Sequence, residues 1–363
     1  MKQGWEIKKL GEICEILDHL RVPITKKDRR EGVYPYYGAS GVQDYVDSYI
    51  FDGRYLLVGE DGAKWGANDK SAYIIEGKSW VNNHAHILKL NDIISDRLVE
   101  YYLVSKDLQE YITGAVVPKL TQQALRSIPI PVPPREEQER IVEILDREFE
   151  RIDALKANAE QNLQHAKDLF QSALKQELQP KEGWETKTIS EISENLDYKR
   201  VPVTKKDRKE GVYPYYGASG IVDYVDGYLF DEDLLLVSED GANLLARSTP
   251  IAFSVSGKIW VNNHAHILRF ENIELQKFVE YFFANYDISK YVTGAAQPKF
   301  NQKALNNIVV SYPTDIVEQR KVVSCLDKLK GHCTALEENY KKTIALCDDM
   351  KQALLRKAFN GEL

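Results

Sequence analysis

Sulfur is scarce in this chain: 363 residues carry four cysteines and two methionines. Cys14, Cys325, Cys333 and Cys347 contain no Cys-x-x-Cys pair and divide unevenly between the halves, which excludes a disulfide framework. A reduced, cytoplasmic protein is expected. Long apolar runs are missing too, and none approaches the roughly 18 residues that cross a bilayer. Behind Lys2 the opening residues Gln3-Gly4-Trp5-Glu6 offer no apolar signal core, so export is not expected. No Gly-x-Gly-x-x-Gly occurs, and no Asn/Asp/Ser-Pro-Pro-aromatic tetrapeptide of the amino-methyltransferase kind; Val132-Pro133-Pro134-Arg135 fails at both ends. Positive charge is short overall, the net being −7. Bulk charge is a weak guide, however, because local clusters set the field at a contact face.

What is present is a duplication. Gly4-Trp5-Glu6 returns as Gly183-Trp184-Glu185, and Thr25-Lys26-Lys27-Asp28-Arg29 as Thr204-Lys205-Lys206-Asp207-Arg208. The stretch from Gly32 to Gly41 (Gly-Val-Tyr-Pro-Tyr-Tyr-Gly-Ala-Ser-Gly) recurs unchanged from Gly211 to Gly220, and Trp80 to Leu88 recurs unchanged from Trp260 to Leu268. Two copies are too few for a solenoid; this is a tandem repeat. With 43% hydrophobic and 28% charged residues, each copy can bury a core.

Each copy opens with a part rich in Tyr, Val, Ile and Gly. Tyr55 to Val58 and Ala85 to Leu88 read as short strands. From Ser95 to Ile112 a helical period takes over, placing Leu98, Tyr102, Leu108 and Ile112 on one face. Thr121 and Asn301 are N-cap residues for a second, short helix. Each copy closes with a long helix, over about 136–178 and 318–359. In the later one Leu326, Leu329, Cys333, Leu336, Tyr340, Thr343, Cys347, Met350 and Leu354 recur at spacings of three and four, the seam of a coiled coil. The earlier helix carries Leu145, Ile152, Leu155, Ala159, Ala166, Leu169 and Ala173 in the same register, so the two should pair with each other. The division expected is a first domain over 1–135, a helix over 136–180, a second domain over 181–315 and a helix over 316–363.

Several patterns imitate catalytic motifs. Ala72 to Ser79 meets the loosest phosphate-loop pattern, but Tyr73-Ile74-Ile75 is a strand rather than a cradle of backbone amides. Asp61, Glu76 and Lys78 resemble the acidic-acidic-lysine set of metal-dependent nucleases. The second copy has Ser256 where the first has Glu76, so a self-contained nuclease is the alternative reading and no more. His84 and His86, with His264 and His266, sit two apart on a strand and would share a face. A structural role leads, with DNA contact or metal binding as alternatives; zinc would want further ligands.

Basic residues cluster instead of standing alone. Arg21 to Gly32 holds Arg21, Lys26, Lys27, Arg29 and Arg30, and Lys199 to Gly211 holds Lys199, Arg200, Lys205, Lys206, Arg208 and Lys209. Each run abuts an aromatic-glycine loop, ending near Ser40 or Ser219. Lys119 and Lys299 precede the short helices. The sharpest divergence between copies is Lys64 to Asp69 against Asn243 to Ser248, where Lys64, Asn243 and Arg247 have the chemistry to read bases. With Asn83 and Asn263 these residues make up the candidate DNA-binding set; no catalytic or metal-binding residue is assigned.

Taken together, the repeated Gly-Trp, Tyr-Tyr-Gly-Ala-Ser-Gly, Asn-Asn-His-Ala-His and Thr-Gly-Ala…Pro-Lys…Gln…Ala-Leu motifs resemble the specificity subunits of type I restriction–modification systems over essentially the whole chain. Glu137-Gln138-Glu139-Arg140 and Glu318-Gln319-Arg320-Lys321 at the helix starts add to the likeness. The resemblance implies an α+β fold in which two mostly-β target-recognition domains alternate with two long helices forming an antiparallel coiled coil. It implies a bipartite double-stranded DNA target and no catalysis by this chain. Two modification subunits carrying S-adenosylmethionine, and ATP- and Mg²⁺-dependent restriction subunits, would dock on it. The antiparallel helices lead us to expect half-sites in inverted orientation.

Overall fold

The computed structural model describes residues 4–294 and 296–363. The chain divides into two compact units, Met1–Glu160 with Lys341–Leu363, and Gln161–Tyr340. In each, one repeat's β-rich part packs on segments of both long helices.

The first unit is built on a six-stranded sheet. Its order is Cys14–Ile16, Ala85–Leu90, Phe51–Gly59, Ala72–Val81, Glu31–Gly38, Gly41–Val46. All neighbours are antiparallel except Glu31–Gly38 beside Ala72–Val81, which pair in parallel at Tyr36–Trp80 and Tyr37–Val81. The central strands read as apolar runs because both faces are covered, and Leu56, Leu57 and Val58 are all fully buried. One face packs under the helix Asp96–Ser105 and the short helices Leu10–Ile13 and Gln122–Ser127, with Leu98, Val99, Leu103 and Leu125 in the core. Thr121 caps the last of these through the Ala124 N–H at 3.3 Å, as its sequence position foretold. The helix after Ser95 is shorter than its periodicity implied. It stops at Ser105, since the Asp107 carboxylate takes the Gln109 N–H at 2.9 Å and turns the chain aside.

In the second unit the corresponding sheet is divided. Ser193–Asn195, Ala265–Phe270, Leu234–Ser238 and Ala252–Val255 form one four-stranded sheet; Gly220–Val225, Glu210–Gly217, Lys258–Val261 and Phe230–Asp231 form another. The two long central strands of the first unit are each interrupted here, at Glu232-Asp233 and Ser256-Gly257. Gly32 and Gly211 show why both hairpins need glycine: a Cβ there would lie 2.2 Å from the carbonyl oxygens of Val46 and Val225.

The motifs at the domain edges are fasteners. The Trp5 indole donates to Glu137 at 3.0 Å, and Trp184 donates to Glu318 at 2.9 Å. Gln138 is buried at the start of the helix Arg135–Glu177; its side chain donates to the Pro133 and Ile93 carbonyls and accepts the Ser95 N–H. Gln319 donates to Pro313 at 2.8 Å in the helix Ile316–Asn360.

Within the first unit the helix segments run antiparallel, tied by Lys156–Asp348 at 2.7 Å and Lys351–Asp153 at 2.5 Å. Within the second the sense is the same, Glu177 and Lys181 lining one groove with Glu318 and Val322, and Lys167 and Phe170 another with Lys330 and Glu337. One layer of the expected seam is buried: Leu145, Ile152, Ala159, Ala166, Leu326, Cys333 and Cys347. The other is displaced. Leu155, Leu169, Leu336 and Met350 are exposed, whereas Leu163, Phe170 and Ile344 turn inward.

Candidate nucleic-acid interface

Beneath one rim of each β-rich domain lies a buried charge cluster. In the first unit Asp18 Oδ2 meets His86 Nδ1 at 2.6 Å, and Asp18 Oδ1 accepts the Ile87 N–H at 3.0 Å. His86 Nε2 donates to the Leu120 carbonyl at 2.8 Å. Glu60 is gripped by Arg21 and, at 2.7 Å, by Lys119. The second unit repeats this with Asp197, His266, Phe300, Glu239, Arg200 and Lys299. Burial pushes the Asp18 carboxyl up, but the bond and charge of His86, the Ile87 amide and Arg21 outweigh it, so it lies below the usual carboxylate range. For Glu60, Lys119 and Arg21 outweigh burial in the same way. Asp197 and Glu239 are lowered by the matching groups.

The ligand atoms of Asp18, Glu60 and His86 fall within 4.8 Å of one another, as do those of Asp197, Glu239 and His266. Yet one ring nitrogen of each histidine is spent on a carboxylate and the other on a carbonyl, so a metal would have to break one of these bonds. A guanidinium and an ammonium already neutralise the carboxylates. The cluster is a clamp. The expected sharing of a face by the paired histidines fails for a simple reason: His84 and His264 lie in the turn before the strand, exposed and bonded to Asp61 and Asp240.

The clamp stitches loops that are far apart in sequence. Arg21 donates to the carbonyls of Asn83 and Ala85, the Glu60 N–H donates to the His84 carbonyl, and the Leu120 N–H donates to the Glu60 carbonyl. The Asn82 N–H reaches Tyr37, and the Tyr73 hydroxyl reaches Gly38, so the hairpin tip at Ser40 joins the same rim. Ser40 and Asn83 are thereby gathered, and Ala39 and Ala63 both close on Gly59, which brings Lys64 alongside; all three are exposed, with Lys119 at the loop root. Ser219, Asn263 and Lys299 take equivalent places in the second unit. Lys119 and Lys299 are held by Glu60 and Glu239 and are not free-standing ammonium groups ahead of a helix.

The basic runs divide into two roles. Lys26, Lys27 and Arg30, with Lys205, Lys206 and Lys209, point to solvent. Arg29 and Arg208 are instead structural. Arg29 lies 4.2 Å over the Tyr36 ring and bonds Asp44 and the Ile24 carbonyl; Arg208 repeats this with Tyr215, Asp223 and Val203.

The divergent segment departs most from the sequence expectation. Arg247 does not face outward: its guanidinium donates to the Phe283 and Tyr286 carbonyls at 2.9 and 2.5 Å, at the end of the helix Ile273–Asn285. Asn243 bonds Ser248 and Thr249 and orders its own turn. In the first unit the buried Trp65 donates to Gly59 at 3.0 Å, and Lys64 and Ala67 are the exposed members. The divergence there is largely one of packing. Asp18, Arg21, Glu60 and their counterparts were missed as a group; their only sequence signal was recurrence in both copies.

The nuclease alternative is overturned. Glu76 pairs with Arg54, and Lys78 lies 4.6 Å over the Tyr49 ring. Arg54 stands across from Glu76, and five further residues of strand lead to Gly59 before Asp61 is reached. That is about 16 Å, too far for the two carboxylates to share an ion. Ala72 to Ser79 is strand throughout, not a phosphate loop.

Comparison with known proteins agrees. The model of the type I restriction modification DNA specificity domain matches residues 2–165 and again 181–346. A putative type I restriction enzyme specificity subunit of Haemophilus influenzae is 27% identical over 92% of this chain and 89% of its own length. The MjaVIII specificity subunit of Methanocaldococcus jannaschii is 21% identical, over 94% and 88%. A solved chain from work on assembly and conformational transition of the type I restriction–modification system superposes with a TM-score of 0.74 at 16% identity, covering 100% and 99%. The HsdS subunit of Thermoanaerobacter tengcongensis gives 0.58 at 17%, covering 100% and 98%. At such identities the structural likeness speaks for the fold.

Proposed function

The chain belongs to the type I restriction–modification specificity family, and on that premise we propose that each β-rich domain reads one half of a bipartite double-stranded DNA target. It is a recognition subunit and not itself a catalyst. The observation that carries the proposal is the duplicated rim: one set of exposed side chains, on loops clamped by one buried cluster, occurs once per domain. Fixed loops suit base readout, because the side chains are ordered before DNA arrives. Lys26, Lys27 and Arg30, with Lys205, Lys206 and Lys209, supply phosphate contacts that position the domain; residues at the rim supply base contacts.

Chemistry falls to partners. Two modification subunits carrying S-adenosylmethionine methylate adenine at the site this chain selects, and ATP- and Mg²⁺-dependent restriction subunits act on unmodified DNA, in the cytoplasm. The antiparallel sense of the helix segments within each unit favours half-sites in inverted orientation.

Exchange of domains tests this. Replacing residues 1–135 with 181–315 and co-expressing the product with the modification subunits should convert the methylated target, read by methylation-sensitive sequencing, into an interrupted palindrome. Retention of the original first half-site would disprove the assignment of one half-site to each domain.

A further inference from the structure

The most exposed large apolar side chain in the described residues is Val116, 93% accessible, and its neighbour Val117 is 63% accessible. They sit at the tip of a short hairpin whose legs pair at Thr113–Lys119 and Ile112–Leu120. Nothing on the domain packs over them. The root is the opposite of loose. Lys119 bridges Asp61 along the backbone and grips Glu60 through its side chain, so the hairpin rises from the clamp that holds Asn83.

The second domain builds the same hairpin. Thr293 and Lys299 exchange N–H to carbonyl bonds at 2.9 and 2.8 Å, and Lys299 bridges Asp240. Gly114 and Gly294 both adopt a left-handed φ, +94° and +86°. A Cβ on either would strike a carbonyl, that of Val117 at 2.4 Å or of Gln297 at 2.5 Å, so both tips return over a glycine. The sequences are Thr-Gly-Ala-Val-Val-Pro-Lys and Thr-Gly-Ala-Ala-Gln-Pro-Lys. Everything that shapes the hairpin is shared, and only Val116-Val117 against Ala296-Gln297 differs. Gln297 is exposed as well.

We propose that this hairpin tip is a specificity-determining element, with Val116 and Val117 contacting a thymine C5-methyl in the first half-site and Gln297 hydrogen-bonding an adenine in the second. The chemistry follows from what each tip offers. An exposed valine presents only methyl groups, and the thymine methyl is the apolar feature of the major groove; a glutamine amide matches the N6 and N7 edge of adenine with one donor and one acceptor. Two bare valines at the tip of a paired hairpin add nothing to a core in this chain, whereas burial against a base would remove them from water. The proposal rests on the reading that each domain reads its own half-site.

The test exchanges the tips in the full-length chain, assembled with its modification subunits. Val116→Ala with Val117→Gln in the first domain should change or relax one or two positions of the first half-site and leave the second unaltered. The reciprocal Ala296→Val with Gln297→Val should change only the second, and its independent readout guards against misfolding of one variant. If both exchanges methylate the original target at the original rate, the hairpin does not read bases. The exchange of residues 1–135 for 181–315 separates the two ideas. Where that exchange moves a half-site and the tip exchanges do not, the tip proposal fails alone; where neither moves it, the half-site reading fails too.

Discussion

At the scale of single residues, the buried charge clusters hold the rim loops in place and make their stability sensitive to acid. Asp18 accepts bonds from His86 and from the Ile87 amide, so Asp18→Asn removes the charge opposite both His86 and Arg21. Loss of one partner from a buried ion set costs about 3 kcal/mol. A fall in the first unit's unfolding midpoint is expected, with a smaller change at the second; equal loss at both, or none, would contradict the clamp. The pH dependence has a definite sign. Asp18, Glu60, Asp197 and Glu239 all have folded values below their ordinary ones, so their stabilisation is complete above the unfolded carboxylate range and drains away as pH falls below about 5. Chemical denaturation at pH 7 and pH 4 should show it, and D18N should narrow the difference without abolishing it, since Glu60, Asp197 and Glu239 remain. Lys26 and Lys27 differ in kind, being exposed and unburdened by the fold's needs. Their joint replacement by Ala should weaken binding to every DNA sequence and reduce the slope of log affinity against log salt by about 2, as salt titration of the assembled complex would show. The cluster was hard to see in sequence because its members span about a hundred positions, and carboxylates and lysines elsewhere look no different. The runs of lysine were plain, but which cation packs on a tyrosine and which meets solvent was not, since that is decided by Asp44 and Tyr36 folding beneath Arg29.

At the scale of elements, helix starts and strands were legible, whereas packing faces were only half so. The caps at Thr121 and Asn301 are local chemistry and came out as expected. The seam did not, because hydropathy assigns a core position to the nearest leucine. Lys156 is half-buried with its ammonium on Asp348, while its neighbour Leu155, expected on the seam, is exposed. Paired substitutions distinguish the two registers. In the chain without partners, Ile152→Ala should cost about 3 kcal/mol, whereas Leu155→Ala should cost under about 0.5 kcal/mol, measured by denaturant unfolding. The helix anchors are equally specific. Gln138→Ala leaves the Ser95 N–H and the Ile93 and Pro133 carbonyls without their buried partner. Each stranded group costs about 1–3 kcal/mol, so faster amide exchange at the start of the helix Arg135–Glu177 is expected, along with lower stability. Unchanged exchange there would mean that Trp5 and Glu137 suffice as a fastening.

At the scale of the whole molecule, the duplication made the architecture readable, since one copy checks the other. Glu76 lacks a counterpart carboxylate in the second copy, and that gap alone pointed away from a nuclease before the strand separation did so geometrically. What the comparison of copies could not reveal is where a difference serves packing and where it serves reading. Lys64 to Asp69 and Asn243 to Ser248 differ most, yet Trp65 and Arg247 turn inward. The purified chain, offered labelled S-adenosylmethionine and duplex DNA with Mg²⁺, should neither transfer methyl groups nor cut; turnover by the chain alone would demand a site that none of its motifs provides.

The identity of Gly32–Gly41 with Gly211–Gly220 also has a genetic consequence. Both stretches form the same hairpin, with matched bulges and the same close approach at the first glycine. A crossover joining the two copies at matching codons of that stretch would keep reading frame and hairpin intact. Unequal exchange would delete one recognition domain and one long helix together, while exchange with a sister gene would splice new halves onto old ones. If each domain reads its own half-site, new target preferences would arise by recombination in a single step, with the same hairpin on both sides of the junction.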